Sequence, residues 1–255
     1  MIERWLRFQH QNKIRFGTLE GEKIRIFEGD MFIDPQPTDM TAMLSEVKLL
    51  SPHVPGKVLA LWNNFHALAR KLELDPPAEP LYLMKPQNAY HHPNEVIKKP
   101  LCDGKVVYEG ELAIVIGKKT TNVTEDQALD HVFGYTCAND VTVADIIKRD
   151  PTFPQWVRAK GFDTFLPFGP VIATGLDPAM LVVRTILNGE VRQDYPINDM
   201  VFPVQRLVSL ISRDMTLYPG DMILCGTSVG VGSMKPGSTV EVEIDGIGTL
   251  VNGFE

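Results

Sequence analysis

The feature that most constrains the fold of this chain is an unbroken apolar run directly after two glutamates. Glu109 and Glu111 stand on either side of Gly110, and every residue from Leu112 to Ile116 is apolar. A run without polar alternation is typical of a strand that is buried on both of its faces. The run therefore predicts an inner strand of a sheet that other elements cover on both sides.

The composition fits a folded chain with a sizeable core. The 255 residues are 44% hydrophobic and 22% charged, which are values of an ordinary globular protein rather than of a disordered one. The formal net charge of −7 disfavours nucleic acid and anionic membrane surfaces, because both attract basic proteins. No apolar stretch approaches the roughly 18 residues that a membrane helix needs. We expect no nucleic-acid partner and no membrane partner, while local basic positions leave room for a small acidic ligand.

The cysteines and the N-terminus predict a cytoplasmic protein. Cys102, Cys137 and Cys225 are odd in number, lie far apart and show no Cys-x-x-Cys spacing, which argues against a disulfide framework and against a zinc cluster. The first residues are too charged for the apolar segment of a signal peptide. We therefore expect three reduced cysteines.

The pattern along the chain predicts a β-rich fold with some helices, a β-rich α/β (α+β) class, in two domains. Residues 1–54 alternate apolar and polar positions between turn signals, which predicts a small β-rich module with a short helix from Thr41 to Leu50. Two prolines and a glycine in residues 51–57 mark the boundary, and residues 55–255 form the second domain. Regular strand–helix alternation and glycine-rich nucleotide motifs are missing, so a doubly wound nucleotide-binding sheet is not indicated.

Three local patterns in the second domain predict particular elements. Apolar residues from Phe65 to Leu72 recur at helical spacing, and the prolines of residues 74–80 end that helix. Asn188-Gly189 lies between two apolar runs and predicts a hairpin. Residues 149–170 contain four prolines and are expected to form a long loop.

Three carboxylates form the main candidate site. Residues i and i+2 of a strand share a face, so the side chains of Glu109 and Glu111 point the same way, about 7 Å apart. Like charges at the end of a buried strand repel and are costly to desolvate, and a divalent cation removes that cost. Asp140 ends another strand-like run and adds a third carboxylate. Oxygen ligands favour Mg²⁺, Mn²⁺ or Ca²⁺ over zinc.

Each candidate residue also has a plainer interpretation. Glu109 and Glu111 are equally compatible with a solvated strand end, and Asp140 with the N-cap of the helix-like segment after it. Lys160 can stabilise an oxyanion beside a metal or be an ordinary surface lysine. Thr227 can help to hold a carboxylate or belong to a turn.

These stretches, in this order, resemble the fumarylacetoacetate hydrolase superfamily. The matching segments cover most of residues 55–255 and are Pro55–Ala60, Glu79–Pro86, Glu109–Gly117, Gly134–Asp140, Lys160–Asp163, Pro219–Ile223 and Gly226-Thr227. The resemblance implies a fumarylacetoacetate-hydrolase-like β-roll core, usually in a homodimer. It also implies a 2-oxo acid substrate, often a dicarboxylate from aromatic-ring degradation.

The resemblance further implies a role for each candidate residue. A Mg²⁺ or Mn²⁺ ion would be held by the three carboxylates, which are those of Glu109, Glu111 and Asp140. Lys160 would act beside the ion as a catalytic residue, and Thr227 and Lys85 would bind the substrate. Chelation of the 2-oxo group would make it an electron sink, so that a neighbouring bond breaks to a metal-bound enolate.

One departure from the family pattern bears on the reaction. Hydrolase and decarboxylase relatives often carry Asn-Tyr-x-x-His-x-x-Glu in a lid helix, and its His–Glu pair activates water or moves a proton. Counted back from Glu79, the Asn-Tyr position falls on Asn64-Phe65, and the His and Glu positions fall on Leu68 and Lys71. Either His66 takes over as a catalytic residue in a shifted lid, or the pair is absent. The departure disfavours water-dependent hydrolysis.

The sequence thus predicts a divalent-metal-dependent enzyme that processes a 2-oxo acid through an enolate, with C–C bond cleavage by hydrolysis or decarboxylation as the leading hypothesis. Two alternatives stay open, which are an isomerase or hydratase of a 2-hydroxy-dienedioate and a non-catalytic binder of 2-oxo acids. An enolate-stabilising Lys160 argues against the binder, because passive binding needs no such group.

Overall fold

The computed structural model describes residues 2–255, and strands are their dominant element. The strands are, in chain order, β1 (Arg4–His10), β2 (Lys13–Glu20), β3 (Lys23–Glu28), β4 (Gln36–Met43), β5 (Lys48–Leu50), β6 (Val58–Trp62), β7 (Leu81–Lys85), β8 (Tyr90–His91), β9 (Val96–Ile97), β10 (Val106–Tyr108), β11 (Gly110–Ile116), β12 (Val132–Asn139), β13 (Thr142–Val143), β14 (Leu166–Ala173), β15 (Val182–Leu187), β16 (Glu190–Pro196), β17 (Met222–Leu224), β18 (Gly232–Ser233), β19 (Ser238–Ile244) and β20 (Gly248–Phe254).

The helices are few and mostly one turn long. They are α1 (His66–Lys71), α2 (Glu125–Ala128), α3 (Ala144–Ile147), α4 (Trp156–Lys160) and α5 (Val204–Asp214), with 3-10 turns at Leu44–Glu46, Gln87–Ala89, Leu129–His131, Pro178–Met180 and Ile197–Asp199. Within residues 2–255, none of them combines the length and the apolar character that crossing a membrane requires.

Three sheets organise the strands. The largest contains twelve, and its main path runs β4-β3-β2-β1-β14-β12-β11-β17-β6-β7, with β5 against β1 and β8 against β14. A five-stranded sheet follows the order β16-β15-β19-β20-β9, and a small one follows β13-β10-β18. Most pairs are antiparallel, whereas β6 runs parallel to β17. This mixed, sheet-rich architecture confirms the predicted β-rich α/β class.

The apolar run of β11 forms an inner strand, as its sequence predicts. β11 lies between β12 and β17, and all seven of its residues are buried. Leu112, Ile114 and Ile116 pack into one hydrophobic core, whereas Ala113 and Val115 pack into another. Polar alternation is absent because neither face of this strand meets water. Glu111 is the second residue of the strand, directly after Gly110, and it is buried.

The N-terminal strands extend the large sheet. β1 pairs with β14 through Arg4 and Ala173, so the strands before residue 54 continue the sheet of the second half. On their covered face Trp5 packs on Phe27, with ring centroids 4.9 Å apart. The division into residues 1–54 and 55–255 remains a prediction.

The predicted helix from Thr41 to Leu50 is wrong. This segment holds the end of β4, the 3-10 turn Leu44–Glu46 and β5. β5 pairs with the second half of β1, on the same edge that β14 uses at Arg4 and Trp5, and Leu50 lies opposite Arg7. Strand pairing and burial of Leu50 outweigh a weak helical pattern over ten residues.

The predicted loop over residues 149–170 is also wrong in part. The segment contains α4 and the first residues of β14. Its first two prolines precede α4, where they do not interrupt helical hydrogen bonds. The other two lie in β14, whose pairing with β12 shifts register between Tyr135 and Cys137, and such irregular ladders tolerate a missing N–H donor.

Two other local predictions are confirmed. The helical pattern after Phe65 forms α1, with Phe65 at its N-cap and Leu72 at its C-cap. Asn188-Gly189 joins β15 to β16. Their φ angles of 53° and 80° are both positive, as a type I′ hairpin turn requires.

Gly110 is predicted to tolerate no side chain. A Cβ there would lie 2.0 Å from Thr185 Oγ1, so Gly110→Ala forces two elements apart and should lower the free energy of unfolding by about 1–3 kcal/mol. Urea denaturation measures the change. Gly253→Ala in β20 is the matched control, because its Cβ would meet Val96 at an ordinary 3.5 Å, and it should change stability by less than about 1 kcal/mol. Equal losses in the two variants would contradict the packing argument.

Candidate metal centre

The three predicted metal ligands come together at the start of β11. Glu109 joins β10 to β11, Glu111 is the second residue of β11, and Asp140 follows β12, the neighbouring strand. One carboxylate oxygen of each lies within 4.8 Å of the others. Glu111 and Asp140 are buried, and the Glu109 side chain is only 16% exposed. The solvated strand end considered for the two glutamates is therefore wrong.

Backbone contacts hold the carboxylates at this spacing. The Asp140 N–H donates to the Glu109 carbonyl at 2.9 Å, and the Glu109 N–H donates to Asn139 Oδ1 at 3.0 Å. The N-cap of α3 is Val143, so Asp140 is not a helix cap. Its carboxylate is left to interact with the cluster.

Lys160 is buried among these carboxylates instead of lying on the surface. It is the last residue of α4, and its Nζ donates to Glu109 Oε2 at 2.7 Å, to Asp140 Oδ2 at 2.6 Å and to Thr142 Oγ1 at 2.7 Å. Burial acts to lower the pKa of Lys160, but the nearby carboxylates, Asp140 first, raise it above its ordinary value. In the metal-free cluster the carboxylates therefore favour the charged form of Lys160.

Lys85 supplies a second buried ammonium group. It ends β7, and its side chain is fully buried. Its Nζ forms an ion pair with Asp140 Oδ1 at 2.8 Å. It donates to the carbonyls of Lys160 and Phe165. Burial lowers the pKa of Lys85, and Asp140 opposes that shift. All of these partners belong to the protein, and the substrate-binding role of Lys85 remains a prediction.

The charges of the cluster are unequal. Burial acts to raise the pKa of Asp140, but Lys160 and Lys85 hold it below its ordinary value. For Glu111 burial comes first and Asp140 second, and they raise its pKa well above the ordinary value. Burial also raises the pKa of Glu109. In the metal-free cluster the two lysines therefore stabilise the charge of Asp140, whereas the ionised form of Glu111 is disfavoured.

The residues present fit a hard divalent cation. Glu111 Oε2 accepts the Gly226 N–H at 2.8 Å, whereas the buried Glu111 Oε1 has no hydrogen-bond partner within residues 2–255. A buried carboxylate oxygen without a donor is costly unless a cation supplies the missing charge. Three carboxylates match the oxygen ligands that Mg²⁺ and Mn²⁺ prefer.

Thr227 and two residues of β16 surround the peptide of Gly110. Gln193 accepts the Gly110 N–H at 3.0 Å, while Tyr195 and Thr227 donate to the Gly110 carbonyl at 2.6 and 2.9 Å. Sequence reasoning missed Gln193 and Tyr195. Their only sequence signal is an i, i+2 spacing that places both on one face of a strand. The substrate-binding role of Thr227 remains a prediction.

His66 takes no part in the hydrogen-bond network just described. It is the first residue of α1 and is half-buried. Its neighbour Asn64 donates to the Cys225 carbonyl at 2.9 Å, next to the Gly226 amide that contacts Glu111. Leu68 is buried and Lys71 is exposed, so these two positions offer no proton-transfer pair. The catalytic role of His66 remains a prediction.

Comparison with known proteins identifies the family. The family profile described as fumarylacetoacetate (FAA) hydrolase C-terminal matches residues 57–255, and the profile described as Rv2993c-like, N-terminal, matches residues 3–52. The first match covers well over half of the chain. The chain belongs to the fumarylacetoacetate hydrolase family, as the sequence resemblance predicts.

Three relatives indicate the range of reactions in this family. The structure of 2-hydroxyhepta-2,4-diene-1,7-dioate isomerase from Mycobacterium marinum is 40% identical with a TM-score of 0.91, and the match covers 99% of this chain and 98% of that one. Oxaloacetate tautomerase YisK of Bacillus subtilis is 36% identical, over 92% of this chain and 87% of the relative. Fumarylpyruvate hydrolase from Pseudomonas aeruginosa, in complex with Mn²⁺ and pyruvate, is 30% identical with a TM-score of 0.74, over 85% and 92% of the two chains. An isomerase, a tautomerase and a hydrolase are thus similar to this chain over most of its length.

Glu111→Gln is predicted to change stability and metal affinity in opposite directions. The amide keeps the size of the side chain and the acceptor for Gly226 but removes a carboxyl group whose ionisation is opposed by burial, so the metal-free protein at neutral pH should gain about 1 kcal/mol of stability. Loss of the ligand charge should lower the Mn²⁺ affinity by about 100-fold or more. Substitution of residues that only orient metal ligands already lowers metal affinity by about 10–100-fold. Thermal denaturation in EDTA and calorimetric Mn²⁺ titration measure the two effects. Glu22→Gln, at an exposed position, should change neither quantity, and wild-type affinity in Glu111→Gln would contradict the assignment.

The contribution of Glu111 to the stability of the metal-free protein should fall as pH rises above about 4.5, the ordinary pKa of a glutamate. The unfolded chain then releases a proton that folded Glu111 retains, so the folded state binds more protons and loses relative stability. The decline ends where the folded carboxyl group also ionises. Urea denaturation in EDTA between pH 5 and pH 8 measures the slope, which Glu111→Gln should flatten. A slope that this variant leaves unchanged would assign the effect to another group.

Proposed function

We propose that this protein is a divalent-metal-dependent enzyme that moves a proton at the carbon next to the oxo group of a 2-oxo acid, as an isomerase or tautomerase does. One observation carries the choice of reaction. Counted back from Glu79 without gaps, Leu68 and Lys71 fall where hydrolases of this kind use a His–Glu pair, and neither side chain can activate water. The cluster around Lys160 is otherwise complete.

The charge of the cluster favours an anionic substrate. Three carboxylates and two ammonium groups carry one excess negative charge when all are ionised. A bound divalent cation reverses that sign, and its Lewis acidity would polarise the oxo group of a 2-oxo acid. Glu109, Glu111 and Asp140 would hold the cation. A carboxylate of the substrate then neutralises the positive charge that remains.

Lys160 is suited to stabilise negative charge rather than to accept a proton. Its ammonium group is fixed by three hydrogen bonds, and the adjacent carboxylates raise its pKa. A fixed cation beside an oxygen that becomes negative lowers the energy of an enolate without reorganisation. The enolate is the intermediate from which a proton returns at a different position.

The remaining roles fall to residues around the cluster. We propose that the loop after Gly226, with Thr227, binds a substrate carboxylate through backbone N–H groups, a common way of binding anions. His66, at the start of α1, is the candidate for moving the proton. We also propose a cytoplasmic homodimer, in keeping with the family resemblance and with three free cysteines.

C–C bond cleavage is the second candidate function. The similarity to a hydrolase in complex with Mn²⁺ and pyruvate favours it, because pyruvate is a 2-oxo acid. The same enolate serves decarboxylation, which needs no activated water. The two candidates differ in their products, since cleavage shortens the carbon skeleton and isomerisation preserves it.

The main test is an NMR assay in D₂O with Mg²⁺ on oxaloacetate, an acylpyruvate and a 2-hydroxy-dienedioate. We expect deuterium to enter the carbon next to the oxo group, or the double bond to move, while the carbon skeleton stays intact. EDTA should abolish both changes, because it removes the metal. Lys160→Met should slow this exchange about 10²–10³-fold, as loss of one oxyanion-stabilising group does. Lys119→Met, at an exposed position, is the control and should match the wild type. Shorter products would favour cleavage, and metal binding without any turnover would favour the non-catalytic binder.

His66→Ala should slow the same exchange about 10²–10⁴-fold if His66 moves the proton. His10→Ala, in β1 on the N-terminal side of the chain, controls for loss of a histidine as such. Magnesium affinity should be the same in both variants, because His66 is not one of the proposed ligands. Full exchange activity in His66→Ala would assign proton transfer to another group.

A further inference from the structure

We propose that Gln193 is a positioning residue that sets the relative orientation of Glu109 and Glu111 by clamping the peptide of Gly110. The inference rests on the proposed metal-dependent function, because it concerns how the chain prepares its metal ligands. Gln193 is only 1% exposed and lies on β16, in a different sheet from the glutamates. Its side chain therefore connects the five-stranded sheet to the metal centre.

The hydrogen bonds fix the orientation of the Gln193 amide. The backbone N–H of Gly110 can only donate, so the atom it meets at 3.0 Å must be the oxygen Oε1. The Nε2 group then faces Thr227 Oγ1 at 2.8 Å. Thr227 accepts this bond and donates its own proton to the Gly110 carbonyl at 2.9 Å. Gln193, Thr227 and Gly110 form a closed ring of donors and acceptors.

The clamp takes the place of a missing strand. Gly110 pairs with Asn139 of β12 on one side, but the pairing of β11 with β17 on the other side begins only at Ala113. The Gly110 N–H and carbonyl bond to side chains instead, with the Tyr195 hydroxyl as an additional donor at 2.6 Å. Gln193 and Tyr195 reach the same peptide because residues i and i+2 of a strand share a face.

Gly110 is the one residue between the two proposed glutamate ligands, so its peptide orientation determines where both side chains begin. The same ring holds Thr227, and the preceding Gly226 N–H donates to Glu111 Oε2 at 2.8 Å. Glu111 is therefore fixed from its own backbone and from its carboxylate. Groups that orient metal ligands from behind typically contribute 10–100-fold to metal affinity. Loss of the Gln193 amide should loosen the glutamates while leaving all three carboxylates present.

The test compares Mn²⁺ binding in the full-length wild type, Gln193→Met and Val240→Ala. Methionine keeps the length of the side chain but can neither accept from Gly110 nor donate to Thr227. We expect calorimetry to give an affinity about 10–100-fold weaker in Gln193→Met. The electron paramagnetic resonance spectrum of bound Mn²⁺ should broaden, because the ligands adopt a spread of geometries. Val240 is buried in the same sheet, and Val240→Ala should lower thermal stability without changing affinity or spectrum.

Tyr195→Phe provides a milder second variant should Gln193→Met fail to fold. It deletes one hydroxyl group, and the Gly110 carbonyl keeps its bond from Thr227. We expect a smaller loss of Mn²⁺ affinity, below about tenfold, with the same direction of spectral change. Wild-type affinity and spectrum in the foldable clamp variants would overturn the positioning role, and so would an equal loss in Val240→Ala. A wild-type protein that binds no Mn²⁺ would instead overturn the proposed function and this inference with it.

Discussion

Three carboxylates buried beside two ammonium groups are the interaction on which this structure depends. Asp140 keeps its charge because Lys160 and Lys85 both lie against it, whereas Glu111 is left with an unpartnered oxygen. A buried charge of this kind is destabilising by itself. The buried Glu111 carboxyl group is therefore a source of instability in the metal-free protein, and it belongs to the proposed metal site. The same five side chains therefore affect both the stability of the fold and the proposed metal binding.

The sheets supply the rigidity that this cluster needs. β11 is buried on both faces and separates two hydrophobic cores, so its first residues cannot shift without disturbing either core. The five-stranded sheet approaches from the other side and contacts the Gly110 peptide through Gln193 and Tyr195. α4 brings Lys160 in from a third direction. Ligands mounted on packed strands keep their geometry better than ligands on loops.

The relatives clarify why a shared fold does not imply one reaction. An isomerase, a tautomerase and a hydrolase match this chain over most of its length. Activation of a 2-oxo acid is a step that all three reactions can use, and the outcome depends on which groups transfer protons or activate water. In this chain we propose that the difference lies in α1, which contains His66, Leu68 and Lys71.

The sequence by itself determined the inner strand, the three carboxylates and the family. These three predictions rest on local patterns, namely the apolar run of β11, the Glu-x-Glu spacing and the family segments. A local pattern can be recognised without knowing which distant segments contact it. Only the tertiary structure decided that residues 41–50 form two strand segments around a 3-10 turn, that Lys160 ends a helix, and that Gln193 reaches Gly110. Each of these depends on contacts between segments far apart in the chain, for which spacing within a segment carries no information. The clamp illustrates the reason well, because one glutamine on a hairpin acquires its role only when the second sheet packs against the first.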